Sequence, residues 1–376
     1  MPVLIDAALR SPFTRVDGAL AGWHPVDLAA TVMARALDDA GGDESLGDVW
    51  LGCAEPVGAQ GANMARAAVL AAGWPDRIGG VVIDRAETSG MAALHAACAA
   101  LEAGEVERAV VVGVSSATTV APGASALGRT YGRPWGDGPA ARVADDGGLL
   151  PAAAAADRAA ADHGIGRDEQ DAWAVGSHER RSLSLPSTVV AIDARPGDRV
   201  AIQRGTPVGT DDVRERPDDP AGLPPSFDPD GAITGFTFSP AVDGASAVML
   251  RSAPEREHTT TIIGRGRAAG HPLDPTGAAA VAIRDALDAA GLAVGEVDRW
   301  EIAEPTAAAI LLVCRQAGID PATVNPNGGT LGVGDAAAAE ELRLVIDGAA
   351  AAQRGHTVGC VTFGPTGSAV TVTRTP

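Results

Sequence analysis

Two stretches of this chain match at a constant offset of 250 residues. Ala36, Leu37, Asp38, Ala40, Gly41, Asp48 and Trp50 recur as Ala286, Leu287, Asp288, Ala290, Gly291, Asp298 and Trp300. In each copy a helix with the Ala-Leu-Asp pattern should end at the glycine, with a strand starting near the tryptophan. The match continues, slipped by one position, in Ala54-Glu55-Pro56 and Ala303-Glu304-Pro305. An Ala-rich sequence can match itself by chance, but the shared Trp and Gly argue against chance here. A chain of 376 residues is long enough for two such units, so its fold must carry one architecture twice.

Each half alternates strand and helix patterns. In the first, Val3–Leu9, Val49–Cys53, Gly80–Asp84 and Ala109–Val114 read as strands. Helices are expected at Pro25–Ala40, Gly61–Ala72 and Ser89–Ala103. The second half repeats this, with strands at Ala247–Arg251, Thr260–Arg267, Trp300–Ala303, His356–Phe363 and Ala369–Thr373. Such alternation predicts an α/β fold of mixed sheets with helix layers. Between the halves the pattern breaks into Pro- and Gly-rich loops, an Ala-rich helix at Ala152–His163 and a polar helix at Arg167–Arg181. Loop-rich inserts on a rigid scaffold commonly cover ligands. The expected division is residues 1–115, a covering insert at 116–235, and 236–376.

Hydrophobic residues make up 46% of the chain but aromatics only 3%, so the core must form by close approach of small side chains. The sequence has no lysine, and all 29 basic residues are arginine; Schiff-base chemistry and pyridoxal-phosphate attachment, which need an amine, are excluded. A net charge of −19 argues against nucleic acid or an anionic membrane as partner. No apolar run approaches the ~20 residues that span a bilayer, and no secretory signal is evident. Cys53, Cys98, Cys314 and Cys360 are widely spaced, as expected of reduced, buried thiols. A cytoplasmic location is expected. The seven histidines show no metal-ligand spacing, so no metal is expected.

The segment Val81–Met91 carries the strongest chemical signal. A short apolar strand runs through Asp84-Arg85-Ala86-Glu87-Thr88 into Ser89-Gly90 and a helix whose stripe is Met91, Leu94, Cys98 and Leu101. A strand, a tight turn and a helix N-terminus together are how a nucleophile is commonly presented. The residue standing there is Glu87.

Several motifs together resemble the thiolase superfamily along the whole chain. Arg10-Ser11-Pro12-Phe13, Gly61-Ala62-Asn63-Met64-Ala65-Arg66 and Arg167-Asp168-Glu169-Gln170-Asp171 are similar to its Arg-Thr-Pro-Phe, Gly-x-Asn-x-Ala-Arg and Arg-Glu-Glu-Gln-Asp signatures. Ser239-x-x-x-Asp243-Gly244-Ala245 and Asn325-Pro326-Asn327-Gly328-Gly329 resemble its Ser-x-x-x-Asp-Gly-Ala and Asn-x-Asn-Gly-Gly. The resemblance implies a five-layer α/β/α/β/α fold of two duplicated mixed-sheet halves with an inserted loop domain. It also implies coenzyme A as the handle of an acyl substrate rather than as a cofactor, and a homodimer or tetramer.

Thiolase chemistry uses a nucleophilic cysteine, a second cysteine that moves the proton, a histidine and an asparagine. Here the nucleophile position of Val-Asn-Arg-x-Cys-x-Ser-Gly aligns with Glu87. The histidine of Gly-His-Pro aligns with Asp335, the asparagine of Asn-Glu-Ala-Phe with Ala303, and the second cysteine with Val361. Cys360 lies one residue earlier, and a one-residue slip in a strand turns the side chain to the opposite face. Phe363 replaces a glycine of the oxyanion region, with its ring expected in the acyl pocket. The resemblance assigns Glu87 and Asp335 as the reacting pair, with Ser239, Phe363, Gly364, Ser89 and Gly329 around the ligand.

Three readings stay open. Glu87 and Asp335 can face each other as acid and base, one holding its proton, for hydration or retro-aldol chemistry on an acyl-CoA or related ketone. Glu87 can instead be an ordinary acid at a helix N-terminus and Asp335 the N-cap of Ala336–Ile346, in a non-catalytic binding or structural partner, including one within a hetero-complex. Thirdly, acyl transfer can proceed without a cysteine. His271, in Gly270-His271-Pro272, mimics the family's His motif but falls before the second repeat. Arg129, Arg133 and Trp135 lie in the insert, where arginines could meet CoA phosphates.

Overall fold

A computed structural model describes the chain except residues 43–45, 128–135, 147, 149, 182–187, 199, 255–258 and 376. The first half runs β1 (Val3–Arg10), α1 (Pro25–Asp39), β2 (Asp48–Gly52), α2 (Met64–Ala71), β3 (Gly79–Ile83), α3 (Ser89–Ala103) and β4 (Arg108–Ser115). The insert carries α4 (Ala152–Asp162) and α5 (Arg167–Arg181). The remainder comprises β5 (Val242–Ser252), β6 (Thr260–Ala268), α6 (Ala279–Ala290), β7 (Arg299–Ile302), α7 (Ala307–Ala317), α8 (Ala338–Ala351), β8 (Thr357–Gly364) and β9 (Gly367–Arg374).

The strand order across the main sheet is β3-β2-β4-β5-β1-β6-β9-β8-β7. Its centre is a short antiparallel seam in which Val3, Leu4 and Ile5 face Ile262, Thr261 and Thr260. Read outward from this seam, the two sides repeat each other. On one side β1 and β5 pair antiparallel, as do β5 and β4, while β4 and β2 are parallel. On the other, β6 and β9 and then β9 and β8 pair antiparallel, and β8 and β7 are parallel. Beyond β7 a single parallel bridge from Trp300 to Val324 takes the place that β3 holds in the first half. The duplication read from the 250-residue offset is therefore a duplication of topology.

One boundary moves. The division at residue 236 groups Val242–Ser252 with the second half, yet this strand lies between β1 and β4 and completes the first sheet. Strand membership follows hydrogen-bond register, which proximity in sequence does not fix.

Local chemistry sets the helices. α1 starts with Pro25 at its first position and His24 accepting the Val26 N–H, and it buries Leu28, Val32, Met33, Ala36 and Leu37 against the outer face of the first sheet. In α2 the side chain of Asn63 accepts the Arg66 N–H and donates to the Gly80 carbonyl, while Arg66 donates to the Ile78 carbonyl. The Gly-x-Asn-x-Ala-Arg motif thus ties helix to strand. α6 and α7 cover the other sheet.

α3 and α8 form the middle layer, where Met91, Leu94, Cys98 and Leu101 meet Leu342, Leu344, Val345 and Ile346. α3 packs on most sides and leaves Ala99, Glu102 and Ala103 exposed toward its C-terminal end, which is why it is apolar or small almost all round. The two helix starts are in close contact, because a Cβ at Gly90 or at Gly113 of β4 would overlap the Ala338 carbonyl. Small side chains replace rings here as the means of dense packing.

Candidate active site

The turn between β3 and α3 is held from several directions. Arg85 donates to Thr88 Oγ1 and to the carbonyls of Ser368 and Ala268. Ser89 donates to the Ala86 carbonyl at 2.8 Å and accepts the Arg85 N–H, so its hydroxyl is consumed by the turn. Ala86 takes a φ of 45°, and Glu87 follows in a single 3-10 turn. The Glu87 side chain is exposed and accepts from Thr366 Oγ1 at 2.5 Å. It lies against the backbone of Gly364, where an added Cβ would stand 2.7 Å from its carboxyl carbon.

Asp335 sits two residues ahead of Ala337, the residue that caps α8. Its Oδ1 accepts the Ala337 N–H at 2.7 Å, so it forms a turn before the helix rather than capping a helix begun at Ala336. Burial pushes its carboxyl above the usual range, the charge of Glu87 adds to the rise, and Arg343 opposes it. Glu87 and Asp335 thus line one cavity.

That space is a cavity of about 310 Å³. Apolar walls come from Val114, Val120, Pro122, Ala303, Pro305 and Phe363, and carboxylates from Glu55, Glu87, Asp335, Glu340 and Glu341. Among the described residues no cysteine and no histidine lines it. Phe363, 2% exposed, forms part of the wall. Cys360 lies on the other face of β8, in the core beneath α8, with its Sγ facing the Leu344 carbonyl; burial raises its thiol well above the ordinary range. Glu55 uses both oxygens to accept the N–H groups of Gly123 and Ser125, anchoring the start of the insert.

Ser239 and Gly329 are placed beside the cavity, around a buried carboxylate. Glu304 accepts from Trp173 Nε1 and Asn325 Nδ2 on one oxygen, and from Ser177 Oγ and the Leu331 N–H on the other. Ser239 donates to the Glu304 carbonyl, and Gly329 is small enough to let its backbone pass the carboxylate. The three motifs at Arg167, Ser239 and Asn325 meet at this hub, and Ala303 and Pro305 on either side of it project to the cavity.

Behind the cavity wall lies a buried charge network. Arg10 pairs with Asp211 at 2.7 Å and Asp347 at 3.2 Å. Arg343 grips Glu340 through two nitrogens at 2.5 and 2.6 Å and reaches Asp347. Arg181 contacts Asp211 and Asp347. Burial pushes Glu340 up to about 7 although Arg343 opposes it. The arginine of Arg10-Ser11-Pro12-Phe13 is therefore a brace for α8.

Glu340 and Glu341 were not singled out in the sequence, and both line the cavity. Glu341 Oε2 accepts the Met91 N–H at the start of α3 at 2.8 Å. Burial pushes it up to about 8 against the lowering effect of the Met91 and Gly90 N–H groups, with Asp335 and Glu87 adding to the rise. The other histidines stand apart: His271 is paired with Asp146 near the surface, and His95 is buried against Thr371 and lowered to about 3. Arg129, Arg133 and Trp135 lie outside the described residues. No cluster suited to a metal occurs among the described residues.

Models of the thiolase N-terminal and C-terminal domains match residues 3–254 and 256–374. The chain belongs to the thiolase family. The junction of the two matches falls after β5, where the sheet itself divides. Among thiolase relatives, a β-ketoadipyl-CoA thiolase of Pseudomonas knackmussii is 32% identical, with 96% of each chain covered. An acetyl-CoA acetyltransferase of Pseudomonas aeruginosa is also 32% identical, over 92% of this chain and 91% of the other. The crystal structure of the Bacillus anthracis acetyl-CoA acetyltransferase superposes with a TM-score of 0.85 at 25% identity, covering 100% and 99% of the two chains. The expected thiolase fold is thereby met.

Proposed function

We propose that this thiolase-family chain binds an acyl-CoA or a closely related keto substrate and acts on it by proton transfer between Glu87 and Asp335. The observation that carries this reading is the shared cavity, lined by these two carboxylates and, among the described residues, by no thiol or imidazole. Glu87, open to solvent, is suited to take the proton from the carbon next to the carbonyl. The C–H electron pair then moves into a carbon–carbon double bond as the carbonyl pair moves onto oxygen. Asp335, raised by burial, is suited to return a proton. Hydration and retro-aldol cleavage reach the same enolate from the other side. The base takes the proton of water, whose oxygen adds to the β-carbon, or of the β-hydroxyl, whose C–O becomes a carbonyl as the Cα–Cβ bond breaks, and the acid then protonates the α-carbon. Support for the CoA handle comes from the relatives named for CoA thioesters.

A non-catalytic binding partner is the second reading, favoured by the hydrogen bonds that already occupy both groups, Thr366 on Glu87 and Ala337 on Asp335. Titration calorimetry with acetoacetyl-CoA, followed by exchange of its α-protons in heavy water with wild type and Glu87→Gln, separates the two. Binding with enzyme-dependent exchange that vanishes in the variant supports the acid–base reading; binding without exchange supports the second. Acyl transfer through Glu87 would leave an acylated Glu87 peptide for mass spectrometry to detect.

A second copy of the chain belongs to the same proposal. Among the described residues β3 is an edge of the sheet, and Val81 on it is 40% exposed while Leu70 of α2 is 53% exposed; an uncovered apolar edge favours pairing. A cytoplasmic setting is proposed too, supported by four free, buried cysteines. Among the described residues no helix is long and apolar enough to cross a membrane.

A further inference from the structure

We propose that Glu341 is the hydrogen-bond donor that receives the carbonyl oxygen of the ligand in this cavity. The proposal rests on the acyl-CoA reading above and adds a third working carboxyl to it. Glu341 lines the cavity with Glu87 and Asp335 and is 3% exposed. Its two oxygens have different fates: Oε2 accepts the Met91 N–H, whereas Oε1 has no hydrogen-bond partner among the described residues. A buried carboxyl oxygen left without a partner costs free energy unless something meets it. The Met91 bond fixes the group from one side, and Oε1 is the atom left to meet a ligand.

The surroundings decide which protonation state Glu341 presents. Asp335 and Glu87 face it across the cavity and disfavour a further negative charge. Arg85, from the turn before α3, is the cation that favours the charge. Arg343 on its own helix is engaged by Glu340 and Asp347. Burial and the two acids prevail, so the proton stays on Glu341 to about pH 8, and Oε1 carries it toward the ligand. When Glu87 removes the α-proton, negative charge gathers on the carbonyl oxygen. A neutral carboxyl already positioned there stabilises that charge.

Two variants of similar length test the role, with folding checked by thermal melting. Glutamine keeps an acceptor for Met91 and a neutral N–H donor for the ligand; methionine keeps the volume and donates nothing. In ligand-free protein near pH 7, the infrared difference between wild type and Glu341→Gln is expected to show a protonated-carboxyl band that disappears as pH rises through about 8. Acetoacetyl-CoA is expected to bind Glu341→Met about tenfold more weakly. Glu341→Gln should bind as wild type does near neutrality and keep its affinity at higher pH, where wild type loses it. Absence of the carboxyl band, or undiminished binding by Glu341→Met, overturns the proposal. If the band is present but wild type does not bind acetoacetyl-CoA, the acyl-CoA reading fails and the carbonyl assignment with it.

Discussion

The carboxylate of Glu341 accepts the backbone N–H of Met91 at 2.8 Å. This bond joins α3 to α8 near the starts of both helices in the middle layer. The cavity lined by Glu87 and Asp335 opens beside this contact.

The raised Glu341 carboxyl gives stability a pH dependence whose sign is fixed. Its ordinary value is 4.5 and burial pushes it up to about 8, so between these limits the folded chain binds the proton more tightly than the unfolded one. The stabilisation from the protonated group is complete below about pH 4.5 and is lost as pH rises through about 8. Glu341→Gln, which cannot ionise, should melt above wild type at about pH 8.5, with the gap shrinking toward about pH 5. Thermal melts across this range check it; a gap independent of pH would show that Glu341 does not titrate in the folded state.

Glu304 sets the frame beside the cavity by accepting four donors. In Glu304→Gln the amide nitrogen must face donors on one side, leaving them unmatched in a buried place. The expected loss is about 2–4 kcal/mol of unfolding free energy, read from the urea midpoint. A loss below about 0.5 kcal/mol would mean that the hub does not hold α5 and the Asn325 loop to the sheet.

Much of this architecture was legible from the residues. The predicted strands match the observed ones closely because apolar β-branched runs such as Val110-Val111-Val112 leave little choice, and the Ala-Leu-Asp repeat announced two copies of one unit. The start of β5 was missed because Val242–Ser246 is small and polar, a composition without strand periodicity. The pairing of that strand with the first half was hidden because register is a long-range property. Glu87 and Asp335, which line one cavity, stood out in the sequence because motifs surround them. Glu340 and Glu341 did not, since adjacent acids in an Ala-rich helix read as a solvated face. Only the placement of α8 between two sheets buries them. Arg343 and Asp347, one turn further on, were the available signal: an acid–base series at helical spacing beside an apolar stripe.

Gly364 offers a way to move Glu87 without removing it. An alanine Cβ there would stand 2.7 Å from Glu87 Cγ, so the side chain must swing away from Thr366. Because Glu87 is exposed, the fold should lose less than about 1 kcal/mol, whereas proton transfer should fall by about tenfold or more. Turnover equal to wild type in Gly364→Ala would mean that the position of Glu87 against β8 has no part in the chemistry.

The most direct measurement is exchange of the α-protons of an acyl-CoA in heavy water, followed by mass spectrometry, because it needs no knowledge of the natural product. Wild type is expected to exchange the α-protons of acetoacetyl-CoA faster than solvent does, with the excess lost in Glu87→Gln and strongly reduced in Asp335→Asn, while both variants still bind the thioester. Exchange that persists undiminished in Glu87→Gln would contradict the acid–base role of this pair.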